Sequence, residues 1–246
     1  MSSLKTRTII GRQPLIEAIA AGVAIDKILL QKNAIGEVLN QIRHLSKEHN
    51  IPLQFVPIEK LNSLTRSNHQ GVIAFAAVVK YYEVQQIIDL TIANGETPLF
   101  IMLDSITDVR NIGAIARTAL CCGVQAIIIP DKGVGALNEE ALKASAGALE
   151  HVHVCRVNSL MKTVDELHLN GIKVFASEMK AAKTIKEIAL HEPCCIVLGG
   201  EEKGVYPALM KICDDSFHIP MRGKFESLNV SVASGMILYE TMQQRS

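Results

Sequence analysis

The sequence predicts an α/β protein with a mostly parallel sheet. From Pro98 onward, short apolar stretches alternate with segments of helical length. These stretches are continuously apolar, which is typical of parallel strands covered by helices on both faces. The 246 residues are 48% apolar and 20% charged, enough for one large core or two smaller ones.

Residues 1–80 form a first α/β domain in this interpretation. Its apolar patterns predict strands at 27–31 and 53–56, a helix at 35–49 and a third strand from His69 in "HQGVIAFAAVV". The polar stretch "KYYEVQQ" follows, so we assign residues 81–95 to a linker and residues 96–246 to a second domain.

The second domain alternates strands and helices. Its predicted strands are "LFIML", "AIIIP", "VHVCRV", "IKVFAS", "CCIVLGG" and "SFHIP", and its predicted helices begin at Asn111, Asn138 and Ser159. Strands separated by helical lengths are the pattern of a parallel sheet.

Charge and hydropathy exclude some classes of protein. The formal net charge is zero, the aromatic content is 4%, and no Trp is present, so overall composition indicates neither a nucleic-acid binder nor a membrane protein. Residues 1–78 nevertheless hold nine Lys or Arg against five Asp or Glu, a net charge of +4. No run of about 18 apolar residues occurs, and the start lacks the apolar core of a signal peptide. We expect a cytoplasmic protein.

The cysteines and histidines do not predict a metal site. The six cysteines form no C-x-x-C pair, and we expect them to be reduced core residues. His151 and His153 would face the same side of a strand, but no third ligand is spaced to join them.

The glycine-rich turns are the first candidate for a ligand site. The G-x-G-x-x-G of dinucleotide-binding domains is missing after the first strand of the second domain. Glycines come later, in "LGGEEKGV", where Gly199 and Gly200 end a strand. They fit either an ordinary turn or a backbone that approaches a ligand closely.

The segment "NIGAIARTALCCG" predicts an amphipathic helix. Its apolar residues recur at helical spacing (Ile112, Ile115, Ala116, Ala119 and Leu120), and Asn111 stands where a cap is expected. Arg110 and Arg117 would share the other face. They are either solvated, or Arg117 and Asn111 are aimed together at an anionic substrate.

The stretch "SLNVSVASGMILYE" gives two contradictory signals. Apolar residues alternate from Leu228 to Val232 as in a strand, whereas Met236 and Tyr239 continue at helical spacing. Ser227, Ser231 and Ser234 share one helical face of small side chains that permits close packing. This spacing favours a helix that begins near Leu228.

Three segments together resemble a known family. "DVRNIGAIARTALCCGV", "IVLGGEEKGV" and "IPMRGKFESLNVSVASGMILYE" resemble the three motifs of the SpoU, or TrmH, RNA ribose 2′-O-methyltransferases, most closely the RlmB group. "IIGRQPLIEAI" and "HQGVIA" resemble the family's L30e-like RNA substrate-binding domain. The resemblance implies a SPOUT-type catalytic domain with a carboxyl-terminal trefoil knot, against the usual absence of threaded loops. It also implies a homodimer, which would cover the small-residue face of the last helix together with Leu238 and Tyr239.

The resemblance assigns site residues by their place in these motifs. The implied catalytic residues are Asn111, Arg117, Glu201, Ser227 and Asn229. S-adenosyl-L-methionine would contact Gly199, Gly200, Ile219 and Leu228, without a metal. Glu202 departs from the family pattern, which usually has a small residue after the motif-two Glu. A guanidinium stays protonated, so we expect Arg117 to clamp a phosphate and the developing alkoxide rather than to accept a proton.

The implied substrate is a guanosine ribose of 23S ribosomal RNA. The residues expected to contact RNA are Arg110, Arg222, Lys224, His69 and Gln70, although Arg222 and Lys224 also fit a solvated loop and His69 and Gln70 also fit a closed turn. Transfer RNA is the alternative substrate, because the same catalytic residues would serve it. A non-catalytic RNA-binding or ribosome-assembly protein is a further alternative, against which the complete set of motif residues argues.

Overall fold

The computed structural model of the protein describes residues 8–135, 137–201, 203–223 and 227–246. The chain divides into two units. The first is Met1–Lys80 with Leu137–Glu139, and the second is Tyr81–Ala136 with Glu140–Ser246.

The first unit is a small mixed sheet with helices. Its elements are β1 (Thr8–Ile10), α1 (Arg12–Ala20), β2 (Ile25–Gln31), α2 (Glu37–Glu48), β3 (Leu53–Val56), α3 (Ile58–Leu64) and β4 (Val72–Ala76). The strand order is β1-β4-β2-β3, in which only β2 and β3 are parallel among the described pairs. The predicted strands and helix are confirmed, whereas β1, α1 and α3 were not predicted from the pattern.

The second unit carries the longer run of elements. Its strands are β5 (Tyr81–Tyr82), β6 (Leu99–Asp104), β7 (Ala126–Pro130), β8 (His153–Val157), β9 (Lys173–Ser177), β10 (Lys183–Thr184), β11 (Cys194–Gly199) and β12 (Asp215–His218). Its α-helices are α4 (Val84–Ala93), α5 (Val109–Cys121), α6 (Glu139–Ala144, whose first residue groups with the first unit), α7 (Leu160–Leu169), α8 (Pro207–Met210) and α9 (Val230–Arg245). Single 3₁₀ turns lie at Ala148–Glu150 and Ile185–Glu187.

The sheet of the second unit confirms the predicted fold class. The eight strands are ordered β10-β12-β9-β11-β6-β7-β8-β5, and every pair between the described strands is parallel. All six predicted strands of this unit are present. Their apolar runs are buried, as expected for strands covered on both faces. The implied trefoil knot stays a prediction.

The segment assigned to a linker, 81–95, has regular structure instead. Tyr81–Tyr82 pairs with β8 as the edge strand β5. In α4, Val84, Ile87 and Ile88 are buried in the core of the second unit. Their i, i+3, i+4 spacing is that of a helix packed by one face, but the polar residues between them concealed it.

The last helix, α9, resolves the ambiguous carboxyl-terminal stretch. It begins at Val230, two residues after the predicted start, and the Asn229 side chain caps it by accepting a hydrogen bond from the Ser231 backbone N–H at 2.9 Å. Ser234 is fully buried, and α9 packs against α5. Small side chains on this face therefore permit close helix packing.

Arg245 fastens the other end of α9 to the amino-terminal edge of the sheet. Its guanidinium donates to the backbone carbonyls of Leu190 (2.8 Å), Thr97 (2.8 Å), Pro98 (3.0 Å) and Glu192 (2.8 Å). Charge-assisted hydrogen bonds of this kind are stronger than neutral ones. The helix that presents Asn229 is thus held at both ends.

We expect Arg245→Ala to lower the free energy of unfolding by about 2–4 kcal/mol, because several carbonyls lose a charged donor at once. Thermal unfolding followed by circular dichroism measures this loss. Gln243→Ala, on an exposed position of the same helix, is the matched control. A melting temperature of Arg245→Ala equal to that of the control would contradict this role.

The cysteines are free, but they are not all core residues. Cys155, Cys194 and Cys195 are buried, and burial raises the pKa of Cys155 to about 12. Cys121 is exposed at the end of α5, which corrects the expectation for this residue. No helix in the described parts of the chain combines the length and apolarity needed to cross a membrane.

Candidate active site

The candidate site lies at the carboxyl ends of two neighbouring strands. Asp104, the last residue of β6, is in register with Gly199, the last residue of β11. Ligands of open parallel sheets bind beyond these ends, because the loops there diverge and leave a crevice. Two adjoining clefts occupy this edge of the second unit. The second of them is lined by residues 105–108, Asn111, Gly133, Glu201, Lys203 and Val230.

The first cleft contains the residues predicted to bind the cofactor. It has a volume of ≈ 310 Å³, and Gly199, Gly200, Ile219 and Leu228 all line it. Ser227 and Glu201, two of the implied catalytic residues, lie on the same wall. The structure thus gathers parts of two distant motifs around one opening.

Gly199 and Gly200 are required by contacts within the protein. A Cβ on Gly199 would lie 2.1 Å from the carbonyl carbon of Gly204, and one on Gly200 would lie 2.4 Å from the Ser105 carbonyl oxygen. The Gly204 N–H donates to the Gly200 carbonyl at 2.8 Å and closes the loop. The two glycines therefore let backbone segments meet while also lining the cleft, so the turn and binding interpretations are compatible.

Three implied catalytic residues form one hydrogen-bonded network. The Asn229 side-chain amide donates to Glu201 Oε1 at 2.9 Å and to Asn111 Oδ1 at 3.1 Å. The Asn111 amide donates to the same Glu201 oxygen at 3.1 Å. One carboxylate oxygen thus orients two amides from separate helices. Among the described residues, the second oxygen, Oε2, has no hydrogen-bond partner.

Asn111 is not the cap of α5, contrary to the expectation. Asp108 caps the helix by accepting from the Arg110 backbone N–H at 2.9 Å, which places Asn111 in the first turn and leaves its side chain free to reach Glu201. Arg110 also pairs with the Asp108 carboxylate at 2.7 Å. This hydrogen bonding lowers the pKa of the Asp108 carboxyl and raises that of the Arg110 guanidinium.

Arg117 does not join the network. It is exposed, lines neither cleft, and has no hydrogen bond or ion pair to a residue that the structure describes. Six residues beyond Asn111 it is rotated by roughly 240° around the helix, so the two side chains point in different directions. Leu120, expected in the buried stripe, is 39% exposed near Arg117 on this face.

The residues predicted to contact RNA are placed differently from one another. His69 is 8% exposed, and its ring accepts from the Gly71 N–H at 3.0 Å and contacts Asn62 Oδ1 at 2.8 Å. Both ring nitrogens are used, so His69 closes a turn. The Gln70 carbonyl accepts from Arg12 Nε at 2.9 Å, and the Gln70 side chain is exposed. Arg222 is exposed, whereas Lys224 and Glu202 lie outside the described residues.

Asp104 lines neither cleft but holds the loops beside them, and the sequence pattern did not single it out. Its carboxylate is 7% exposed and accepts from the Tyr206 backbone N–H at 2.6 Å and from the Ser105 hydroxyl at 3.0 Å. It thereby ties the loop after β11 to the end of β6. The available signal was an acidic residue directly after the apolar run "LFIML". No group of three or more metal-ligating side chains occurs within the described ranges.

Two family models cover the chain. The SpoU rRNA Methylase family matches residues 98–239, and the model for RNA 2′-O ribose methyltransferase substrate binding matches residues 8–82. The first match includes all the residues of the network and the first cleft described above.

Relatives and solved structures agree with these models. A Bacillus subtilis protein named as a TrmH family tRNA/rRNA methyltransferase, YacO, is 33% identical over 97% of this chain and 96% of its own. An AdoMet-bound rRNA methyltransferase from Sinorhizobium meliloti has a TM-score of 0.57 at 20% identity, covering 96% of this chain and 86% of its own. The TrmH/SpoU tRNA modifying enzyme of A. aeolicus has a TM-score of 0.55 at 30% identity, covering 61% and 76%. The chain therefore belongs to the SpoU/TrmH family of RNA 2′-O-methyltransferases and carries that family's substrate-binding domain at its amino-terminal end.

Proposed function

We propose that the protein methylates the 2′-hydroxyl of a guanosine ribose in 23S ribosomal RNA, using S-adenosyl-L-methionine. The observation that carries the proposal is the Glu201 network, which lies where the cofactor cleft meets a second cleft. A transferase needs its donor and its acceptor side by side. A ribosomal RNA substrate would place the protein in the cytoplasm.

The first cleft fits the cofactor. Leu198, Ile219 and Leu228 supply apolar contacts for an adenosine, and the backbone of Gly199 and Gly200 is open to close approach. Glu178 and Lys180 supply both signs of charge for an amino-acid moiety. When bound, the cofactor supplies a sulfonium methyl group that is already activated for transfer by its positive charge.

The residues of this chain then align and deprotonate the acceptor hydroxyl. Glu201 Oε1 fixes the amides of Asn111 and Asn229, while Oε2 has no hydrogen bond to a described residue and Glu201 lines both clefts. We assign that oxygen to the ribose hydroxyl proton, because a guanidinium cannot accept one. Ser227, on the cofactor side, orients the cofactor or the ribose.

Arg117 acts from a second copy of the chain in this proposal. It lies outside both clefts of its own chain, on the exposed side of α5 that also carries Leu120. The neighbouring helix α9 exposes Val232, Met236 and Tyr239, the last by 60%. A homodimer would cover this apolar face and bring Arg117 to the partner's acceptor. Leu238, which we expected on the dimer face, is fully buried within the unit.

Domain coverage supports ribosomal RNA over transfer RNA. The S. meliloti rRNA methyltransferase aligns with both units of this chain, whereas the A. aeolicus tRNA modifying enzyme covers 61% of it. The part of the chain that would dock RNA is also the basic part, with a net charge of +4 over residues 1–78. Phosphate contacts by Lys and Arg supply most sequence-independent RNA affinity.

The test is methyl incorporation from labelled cofactor into two RNA preparations side by side. We expect unmodified 23S ribosomal RNA transcript to accept methyl groups and an unmodified transfer RNA pool to accept few or none. Incorporation into transfer RNA alone would transfer the assignment to the alternative substrate. Incorporation into neither RNA, by folded protein that binds the cofactor, would favour a non-catalytic RNA-binding protein.

A further inference from the structure

The second cleft is a built feature of the same edge of the sheet. It has a volume of ≈ 420 Å³ and is lined by the loop after β6, by Gly133 and by residues of the Glu201 loop. Two glycines pack closely against the loop after β6. A Cβ on Gly200 would lie 2.4 Å from the Ser105 carbonyl oxygen, and one on Gly135 would lie 2.3 Å from the Thr107 carbonyl oxygen. Ser105 adopts φ 59°, a conformation that costs energy outside glycine.

The position of this cleft suits the methyl acceptor. It shares Glu201, Lys203 and Val230 with the cofactor cleft, so ligands in the two clefts would meet at these three residues. Reacting atoms in a transfer must approach to about 3–3.5 Å. A nucleotide in the second cleft would present its ribose to the cofactor at these three shared residues.

Among the described residues that line the second cleft, one cation has no partner. Asp108 is neutralised by Arg110, and Glu201 accepts the amides of Asn111 and Asn229. Lys203 has no hydrogen bond or ion pair to any residue in the described ranges, and its side chain borders both clefts. An unpaired ammonium beside a polar cleft favours an anionic group of the ligand.

We infer that the second cleft holds the acceptor nucleotide and that Lys203 binds a phosphate of that nucleotide. The inference rests on the proposed function and adds a substrate-positioning residue to it. Lys203 does not stand out in the sequence, because a Lys inside "GGEEKGV" resembles an ordinary solvated charge.

The experiment compares Lys203→Gln with Lys162→Gln. Both variants remove one positive charge, but Lys162 is exposed on α7 and lines neither cleft. Three quantities are measured for each variant: KM for the RNA that accepts the methyl group, the salt dependence of RNA binding, and the Kd for S-adenosylmethionine without RNA. Lys203→Arg, which keeps the charge, is the conservative variant.

We expect Lys203→Gln to raise KM for RNA about tenfold. The slope of log K for RNA binding against log salt concentration should become shallower by about 0.7–0.9, the value of one phosphate contact. The cofactor Kd should stay within about twofold, and Lys203→Arg should restore most of the loss. Lys162→Gln should leave KM for RNA unchanged.

Two results would overturn the inference. One is an unchanged KM and salt slope in Lys203→Gln. The other is a cofactor Kd that weakens as much as KM rises, which would assign Lys203 to the cofactor. Wild-type protein in the same assay distinguishes the two proposals. If it methylates neither RNA, the proposed function is wrong, and the salt dependence of RNA binding by the variants still tests the role of Lys203.

Discussion

Gly199→Ala should abolish binding of S-adenosylmethionine and destabilise the second unit. The added Cβ would lie 2.1 Å from the carbonyl carbon of Gly204 and 2.3 Å from the Val205 nitrogen, both backbone atoms that cannot rotate away. Relief requires the loop to open, which breaks the Gly204 to Gly200 hydrogen bond and displaces Glu201. We expect a loss of about 3 kcal/mol or more in unfolding free energy.

Titration calorimetry with the cofactor, on protein shown to be folded by circular dichroism, measures the effect. Gly223→Ala is the matched control, since a Cβ there would meet nothing within 4 Å. If Gly199→Ala bound the cofactor with wild-type affinity, the first cleft would not be the cofactor site. If Gly199→Ala fails to fold, Gly200→Ala, whose Cβ would meet the Ser105 carbonyl, repeats the test.

Arg117→Ala should lower the rate of methyl transfer by at least 10²-fold while leaving the cofactor Kd unchanged. Loss of rate is expected because a fixed cation stabilises forming negative charge, and unchanged affinity because Arg117 borders neither cleft. Lys should rescue poorly, since a point charge lacks the planar fork of the guanidinium.

Mixed dimers decide whether Arg117 acts within its own chain or across the dimer. In a dimer of Arg117→Ala with Glu201→Ala, one site would combine an intact Glu201 network with an intact Arg117 only if the arginine comes from the partner. Co-expressing the two inactive variants should then restore about a quarter of wild-type activity, from the statistics of random pairing. No recovery in verified mixed dimers would contradict action across the dimer. Sedimentation of an active 26.8 kDa monomer would contradict the dimer itself.

The strands of the second unit could be predicted because each is a short, continuously apolar stretch, which is the local pattern of a buried strand. The run from Leu99 to Leu103, for example, is buried on both faces and consists of apolar residues alone. Helix α4 was missed because Val84, Ile87 and Ile88 alone carry its signal within a polar stretch. The start of α9 was misplaced by two residues because the cap, Asn229, sits inside an alternating pattern.

The candidate site could be predicted only as separate pieces. The family resemblance named Asn111, Glu201 and Asn229, but their hydrogen bonds join residues up to 118 positions apart. The second cleft depends on three loops meeting, which no local pattern reports. The separation of Arg117 from Asn111 follows from their spacing alone, because six residues turn an α-helix by roughly 240°.

In the proposed function, the two clefts hold the donor and the acceptor of a methyl transfer to a ribose 2′-hydroxyl. Digesting the labelled 23S transcript to nucleosides and separating them by mass spectrometry measures where the methyl group is. We predict a 2′-O-methylated guanosine, formed by wild-type protein and absent with Gly199→Ala. A methyl group carried on a base, or a product formed equally by Gly199→Ala, would contradict the claim.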